Sequence, residues 1–279
     1  MGFSMINILS LGAGVQSSTM ALMAAKGEIT PMPDAAIFAD TGWEPAEVYT
    51  HLDWLEKQLP FPVYRVGNGD IRADILARAK LHTREETRAL EGEKASPPFF
   101  MGGGGMLNRQ CTRSYKIEPV TKKTKELLGI KPRQMTPKEP VVNTWIGISM
   151  DECSRVKDSQ DKWRNNHYPL IDKRMSRTDC KEWFAKHYPD NHLPRSACIG
   201  CPYHSDVEWR DMKLNDPVSF QDAVDFDHAL REHGNFSILK EKAYLHKSAK
   251  PLDEIDFRSL EDMGQINMFE NECEGMCGV

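Results

Sequence analysis

Three groups of residues have the types and spacing to do chemistry. The first is Ser10-Leu11-Gly12-Ala13-Gly14-Val15-Gln16-Ser17-Ser18, which joins an apolar run to an Ala- and Met-rich run. A strand, a small-residue turn and a helix start in that order make an anion site. Glycine lets backbone approach a ligand closely. The first helical N–H groups and the positive end of the helix dipole then face negative charge, and the Ser17 and Ser18 hydroxyls add donors. The second group is Asp40-Thr41-Gly42, after the apolar run Ala35–Ala39. An acid at the carboxyl end of a parallel strand sits where open α/β sheets bind ligands; a turn or cap role is the plainer alternative. The third is Cys198-Ile199-Gly200-Cys201. Two thiolates at that spacing can hold one metal or cluster. His204 could complete a zinc set, and free thiols are the remaining alternative.

These segments resemble known ones. Gly12–Ser17 is similar to the PP-loop of ATP pyrophosphatases, Ser-Gly-Gly-x-Asp-Ser, with Gly12, Ala13 and Gln16 standing where that pattern has Ser, Gly and Asp. Asp40–Pro45 resembles the Asp-Thr-Gly-x-x-x-Pro stretch of phosphoadenylylsulfate (PAPS) reductases. Gly147–Arg155 resembles their Gly-Ile-Arg…Arg stretch, with Ser149 where the family often has Arg. Over roughly residues 5–205 the chain is therefore similar to the PAPS-reductase-like branch of the PP-loop superfamily.

That resemblance implies an adenine nucleotide, ATP or else PAPS or APS, handled with Mg2+ and held by Ser10, Gly12, Ala13, Gly14, Gln16, Ser17, Ser18, Asp40, Thr41 and Gly42. Arg155 would clamp a phosphate or sulfate in two-pronged fashion. It also implies a [4Fe–4S] cluster on Cys111, Cys198 and Cys201. Its fourth position would be filled by Cys180, a small ligand or substrate sulfur, with zinc as the alternative metal. Cys273, in Glu272-Cys273-Glu274-Gly275, resembles the family's C-terminal nucleophile. Among acids its thiol should be a poor thiolate unless docked against positive charge. Three functions follow as expectations. In the first, ATP adenylates an acceptor, DNA or tRNA, for sulfur insertion, and a cysteine desulfurase serves as a sulfur donor. In the second, Cys273 attacks PAPS or APS, sulfite is released, and thioredoxin reduces the enzyme. In the third, the chain is a nucleotide-binding regulatory protein without turnover.

Composition bounds these readings. The chain has 279 residues, 28% of them charged, and a net charge of −5. Residues 251–279 hold eight acids against Arg258 alone, which leaves the first 250 residues with 35 basic and 33 acidic side chains, net +2. That is not the surface of an autonomous nucleic-acid binder. The runs 72–88, 122–138 and 173–186 are locally basic and read as solvated helix faces. No run of about 20 apolar residues is present, so no membrane partner is expected. Met1 to Leu11 lacks a charged start and a long apolar core, so the expected compartment is a reducing cytoplasm.

The elements that must position these residues alternate. Strands are expected at Ile6–Leu11, Ala35–Ala39, Pro62–Val66 and Val141–Ile148. Helices are expected at Ser17–Lys26, closed by Gly27, at 45–59, at 70–79 and at Pro119–Leu128, closed by Gly129. This predicts an α/β fold, an open, mostly parallel sheet with helices on both faces. The expected organisation is a nucleotide-binding domain over 1–150, a mainly helical cysteine-containing region over 151–250 and an acidic tail over 251–279. Helices are predicted near 178–186, 206–214 and 217–233. Glu85–Gly105 reads as a flexible, substrate-gating loop that delivers Arg109, Cys111 and Arg113 to the site.

Overall fold

The computed structural model describes residues 4–79, 97–233 and 241–257. Cys273 and Cys277, most of the acidic tail and residues 85–96 of the expected gating loop lie outside the described residues.

Five strands form one parallel sheet in the order β3-β2-β1-β5-β6. They are β1 (Ile6–Leu11), β2 (Ala35–Asp40), β3 (Val63–Gly67), β5 (Val142–Ile146) and β6 (Arg164–His167). Helices α1 (Val15–Ala25), α2 (Ala46–Gln58), α3 (Ile71–Ala79) and α4 (Glu118–Leu127) fall between them. The expected α/β class is what the chain adopts. Parallel strands buried on both faces read as continuous apolar runs, as β1 and β2 do. Ile8, Ile37 and Val142 pack on one face with Val120 of α4 and Trp163. Leu9, Leu11, Phe38 and Trp145 pack on the other with α1 and α2.

The strand β6 was not expected, because the sequence from residue 151 onward reads as helical. Its residues, Arg164-Asn165-Asn166-His167, are polar because β6 is an edge strand paired only with β5. A two-residue strand β4 (Phe100–Met101) pairs antiparallel with β7 (Ala243–Tyr244). It ties the end of the expected gating loop to the C-terminal region.

Beyond β6 lie α5 (Pro169–Asp172), α6 (Arg177–His187), α7 (Asp206–Asn215) and α8 (Pro217–His233). Capping boxes start α6 at Ser176 and α7 at Ser205. A separate core of Trp43, Phe99, Trp209, Phe226 and Leu230 joins α7 and α8 to β4 and β7. No helix among the described residues is long and apolar enough to cross a membrane.

The sheet order reverses at β1. The chain runs outward through β2 and β3, then returns to add β5 and β6 on the other side. This is the topological switch point at which open α/β sheets leave a crevice. Helix α1, nearly all of it buried, stands over that point. It is pinned to α2 by Ser18, whose hydroxyl lies 2.9 Å from His51 Nε2.

Burial, then the nearby His192 charge, drives the His51 pKa down to about 4. The unfolded chain therefore binds more protons than the folded one between about pH 6.5 and 4. Stability tied to His51 is full above that window and falls as pH drops through it. We predict that acid weakens the wild-type fold by up to about 3 kcal/mol more than it weakens His51→Gln across this window. Urea unfolding at stepped pH measures the difference, and parallel slopes would contradict it.

Candidate functional site

A cavity of about 1050 Å³ opens at the carboxyl ends of β1, β2, β5 and β6. Ser10, Gly12, Gly14, Gln16 and Ser17 form its floor. Lys116, Arg113, Lys122 and Lys125 line one wall together with Glu118 and Glu126, and Lys157 and Arg164 line another with Asp158 and Asp161; Arg113 is paired with Glu118 and Arg164 with Asp161.

The floor is a tight turn held by its own atoms. Ser17 Oγ accepts from the Gly12 N–H at 3.1 Å and donates to the Gly14 carbonyl at 3.5 Å. Ala13 is fully buried with φ +56°, a left-handed conformation that costs a side chain roughly 1–2 kcal/mol. Gly14 caps α1, whose first turn holds no acid. The helix dipole therefore meets the cavity without an internal anion. Two neighbours press on this turn. A Cβ at Gly147, just past β5, would lie 3.0 Å from the Ser17 nitrogen. A Cβ at Gly14 would lie 3.2 Å from Ser196 Cβ.

Gln16 lines the floor but is almost wholly buried. Its amide donates to Ser149 Oγ at 3.4 Å and to Glu152 Oε2 at 3.1 Å. Glu152 accepts from Arg155 Nη1 at 2.8 Å through its other oxygen. The loop after β5 is thus bonded to the turn after β1, and Arg155 is paired with Glu152. Arg155 does not line the cavity.

The Asp40 loop is placed differently from the expectation. Asp40 Oδ1 accepts from the Gly42 N–H and from the Tyr49 hydroxyl, both at 2.8 Å. Burial and that bond to Asp40 push the Tyr49 pKa upward. Asp40 and Gly42 line a separate depression of about 180 Å³ with Arg65 and Gly69. Thr41 turns inward: its hydroxyl donates to Glu44 Oε1 at 3.2 Å and lies 3.2 Å from Cys198 Sγ. Ser18 also faces inward, towards His51.

The cysteine knuckle crosses directly over these loops. Ile199 N–H donates to the Trp43 carbonyl at 2.9 Å, and Ser196 reaches the cavity floor. His204 fastens the knuckle. Its Nε2 donates to the Cys198 carbonyl at 3.0 Å, and its Nδ1 faces Arg195 at 3.4 Å. Burial, then the Arg195 charge, lowers its pKa to about 3, so the ring is neutral. Cys198 is half-buried. Burial lifts its thiol well above the usual range, Glu44 adds to this, and Lys116 opposes it.

The donors do not form the expected metal set. Among the described residues no three His, Cys, Asp or Glu side chains converge so as to hold a metal ion. Cys180 is fully buried in the apolar core beside α1 and α2. Burial pushes its thiol up to about 12, with the acids Asp151 and Asp179 adding to the shift. It therefore corrects the expectation of a fourth cluster ligand: its place on α6 turns it into the sheet-facing core. Cys111 is half-buried against the other core. Both ring nitrogens of His204 are engaged, one at the Cys198 carbonyl and the other facing Arg195. At the floor Gln16 is neutral and Glu152 is paired with Arg155, while the carboxylates lining the cavity are Glu118, Glu126, Asp158 and Asp161.

Two residues of this region carried no expectation. Lys116 lies on a π-helical turn, Arg113–Ile117, that precedes α4. Glu44 sits within the Asp40–Pro45 stretch, and that acid was a visible signal. The Lys116 ammonium lies 3.5 Å from Glu44 Oε1.

No protein-family model matches the chain, and no curated protein matches it. Among solved structures, the PAPS reductase from Candida auris in its phosphate complex is similar, at 13% identity and a TM-score of 0.38, over 71% of this chain and 79% of that one. A likeness this loose carries no argument about the site.

The packing of the knuckle generates its own prediction. A Cβ at Gly200 would collide with the Trp43 ring. Gly200→Ala should lower stability by about 1–3 kcal/mol, the usual cost of forcing extra carbon into a filled core. Chemical denaturation measures it, and an unchanged midpoint would contradict this packing.

Proposed function

We propose that the chain binds an adenine nucleotide in the cavity over β1 and β5 and uses ATP to activate an acceptor for sulfur insertion. The observation that carries this reading is the union of the acid-free α1 start with Lys116, Arg113, Lys122 and Lys125 around one cavity. That volume is in the range of small-molecule sites. Phosphates would lie against the Gly12–Ser17 turn, where first-turn N–H groups lack helical partners. The lysines would take the β- and γ-phosphates as point charges.

The chemistry divides into two displacements. An acceptor oxygen attacks the α-phosphorus, forming an O–P bond and expelling pyrophosphate. Sulfur at the sulfide level then attacks the activated carbon of a base, forming C–S as C–O breaks, or the activated phosphorus of a backbone phosphate, forming P–S as P–O breaks; AMP leaves in either case. The charge that builds on the departing pyrophosphate is what Lys116, Lys122 and Lys125 would stabilise. Acceptors of the nucleic-acid class suit the basic rim, which continues to Lys131 and Arg133. A cysteine desulfurase is the kind of partner that would supply the sulfur, as a persulfide whose outer sulfur a dithiol reductant releases as sulfide while the dithiol closes to a disulfide.

PAPS suits the site less well. The reductase reading needs free positive charge for a sulfate near Gly147–Arg155. There Ser149 is neutral and fully buried, and Arg155 is already paired with Glu152.

The test is incubation with ATP, sulfide and DNA or tRNA, following pyrophosphate, AMP and oxygen-to-sulfur exchange by mass. Pyrophosphate release with sulfur gain is expected. Sulfite from PAPS with no pyrophosphate from ATP would replace this reading with the reductase one. Gly14→Val should weaken ATP binding at least ten-fold, because the side chain meets Ser196 and displaces the turn. Unchanged affinity by calorimetry would contradict the placement.

A further inference from the structure

The backbone holds an arginine where glycine would cost less. Lys131-Pro132-Arg133-Gln134 make a turn closed by the Gln134 N–H, which donates to the Lys131 carbonyl at 3.0 Å. The Gln134 side chain closes it a second time, its Oε1 accepting from the Lys131 N–H at 2.9 Å. Pro132 fixes the first corner. Arg133 occupies the second with φ +65°, the left-handed position that such turns ordinarily give to Gly or Asn. A larger side chain there costs folding free energy, and strain of this kind concentrates at binding sites.

The turn is anchored by what precedes it. Gly129 ends α4 in a left-handed conformation, the Ile130 N–H donates to the Lys125 carbonyl at 2.9 Å, and the Ile130 side chain is buried. All four turn residues are exposed, and all four line the large cavity.

Charge around that cavity is unbalanced. Its lining carries eight basic side chains against four acids. Arg113 is paired with Glu118 and Arg164 with Asp161, while Glu126 holds Lys123. Lys131, Arg133 and Lys157 make no ion pair among the described residues.

We infer that the 131–134 turn docks the sugar–phosphate backbone of a nucleic-acid acceptor, with Arg133 gripping one phosphodiester in its two-pronged fork and Lys131 and Lys157 adding point charges. The inference rests on the reading of the cavity given above and deepens it by assigning the acceptor's contact. A nucleotide on the Gly12–Ser17 turn would lie on a buried floor. A group held by an exposed turn continues into solvent, as a polymer does and a small anion does not. The first 250 residues are nearly balanced in charge, at net +2, so the attraction comes from this local patch and not from the field of the whole protein. Phosphodiesters are common to DNA and RNA, and the contact is the same for both.

The test is fluorescence anisotropy of the full chain with labelled single strands of about 20 nucleotides, one sequence made as DNA and as RNA, without ATP, between about 50 and 200 mM salt. Arg133→Gln should weaken binding about five-fold and lower the slope of log affinity against log salt by about 0.7, the share of one phosphate contact on a single strand. Arg133→Lys should keep that slope and recover part of the affinity. Lys138→Gln removes the same charge from an exposed residue that does not line the cavity, and it should bind as the wild type does. Arg133→Gly should lose binding as Arg133→Gln does, yet unfold at a higher denaturant concentration than Arg133→Gln, because glycine relieves the turn.

Wild-type affinity in Arg133→Gln, an equal loss in Lys138→Gln, or no binding of either strand would overturn the assignment. So would Arg133→Gly proving no more stable than Arg133→Gln. Given the Arg133 dependence, tighter binding of one strand identifies the acceptor as DNA or RNA, and equal binding shows that the phosphate alone is read; each supports the contact. No nucleotide enters the measurement, so a failure of ATP to bind the floor would count against the nucleotide reading alone.

Discussion

The structure depends on the contact between the turn after β1 and the backbone after β5. Gly147 has no side chain, and that absence lets the chain past β5 lie against the Ser17 nitrogen. A methyl group there would hold the two loops apart at the point where the sheet changes direction. With the contact made, the crevice of a doubly wound sheet narrows to one face of one turn. The bond from Gln16 to Ser149 and Glu152 then locks the two loops together. Local backbone strain at Ala13 is held in place by this packing from both sides.

Everything proposed for the site follows from what that junction brings within reach. The start of α1 contributes donors and the dipole. The π-helical turn before α4 contributes Lys116, and the Arg195–Cys201 segment closes over both. The cysteine knuckle has its own scaffold. A neutral His204 is bonded to the Cys198 carbonyl, and a capping box at Ser205 starts the next helix immediately behind it. One buried carboxylate, Glu44, connects the thiol to the cation of the cavity wall.

Much of this fold was legible in the sequence, for reasons that are local. Gly27 and Gly129 end their helices with φ of +75° and +72°, the left-handed conformation a C′ glycine exists to adopt. Apolar runs announced β1, β2 and β5 because both faces of a central parallel strand are buried. The strand β6 announced nothing: an edge strand bonded on one side needs no apolar pattern. The geometry of the candidate residues was legible only in part. The floor residues Ser10, Gly12, Gly14, Gln16 and Ser17 line the cavity as a loop of small residues would suggest. Which way each side chain turns was not readable. Ser18 and Asp40 are equally plausible ligands in one dimension, yet one bonds His51 and the other caps its own turn. Cysteine counting assigned Cys180 to a metal, whereas its position on α6 places it in the core. Lys116 lies on a turn whose π geometry no periodicity encodes.

The central claim is that phosphates rest on the turn between β1 and α1. Hydrogen exchange of the full chain, with and without a non-hydrolysable ATP analogue at saturation, addresses it most directly. The account predicts slowed exchange at the amides of residues 12–18 and 195–198. Saturation by the analogue with those amides unchanged, or protection confined to the Asp40–Arg65 depression, would contradict it.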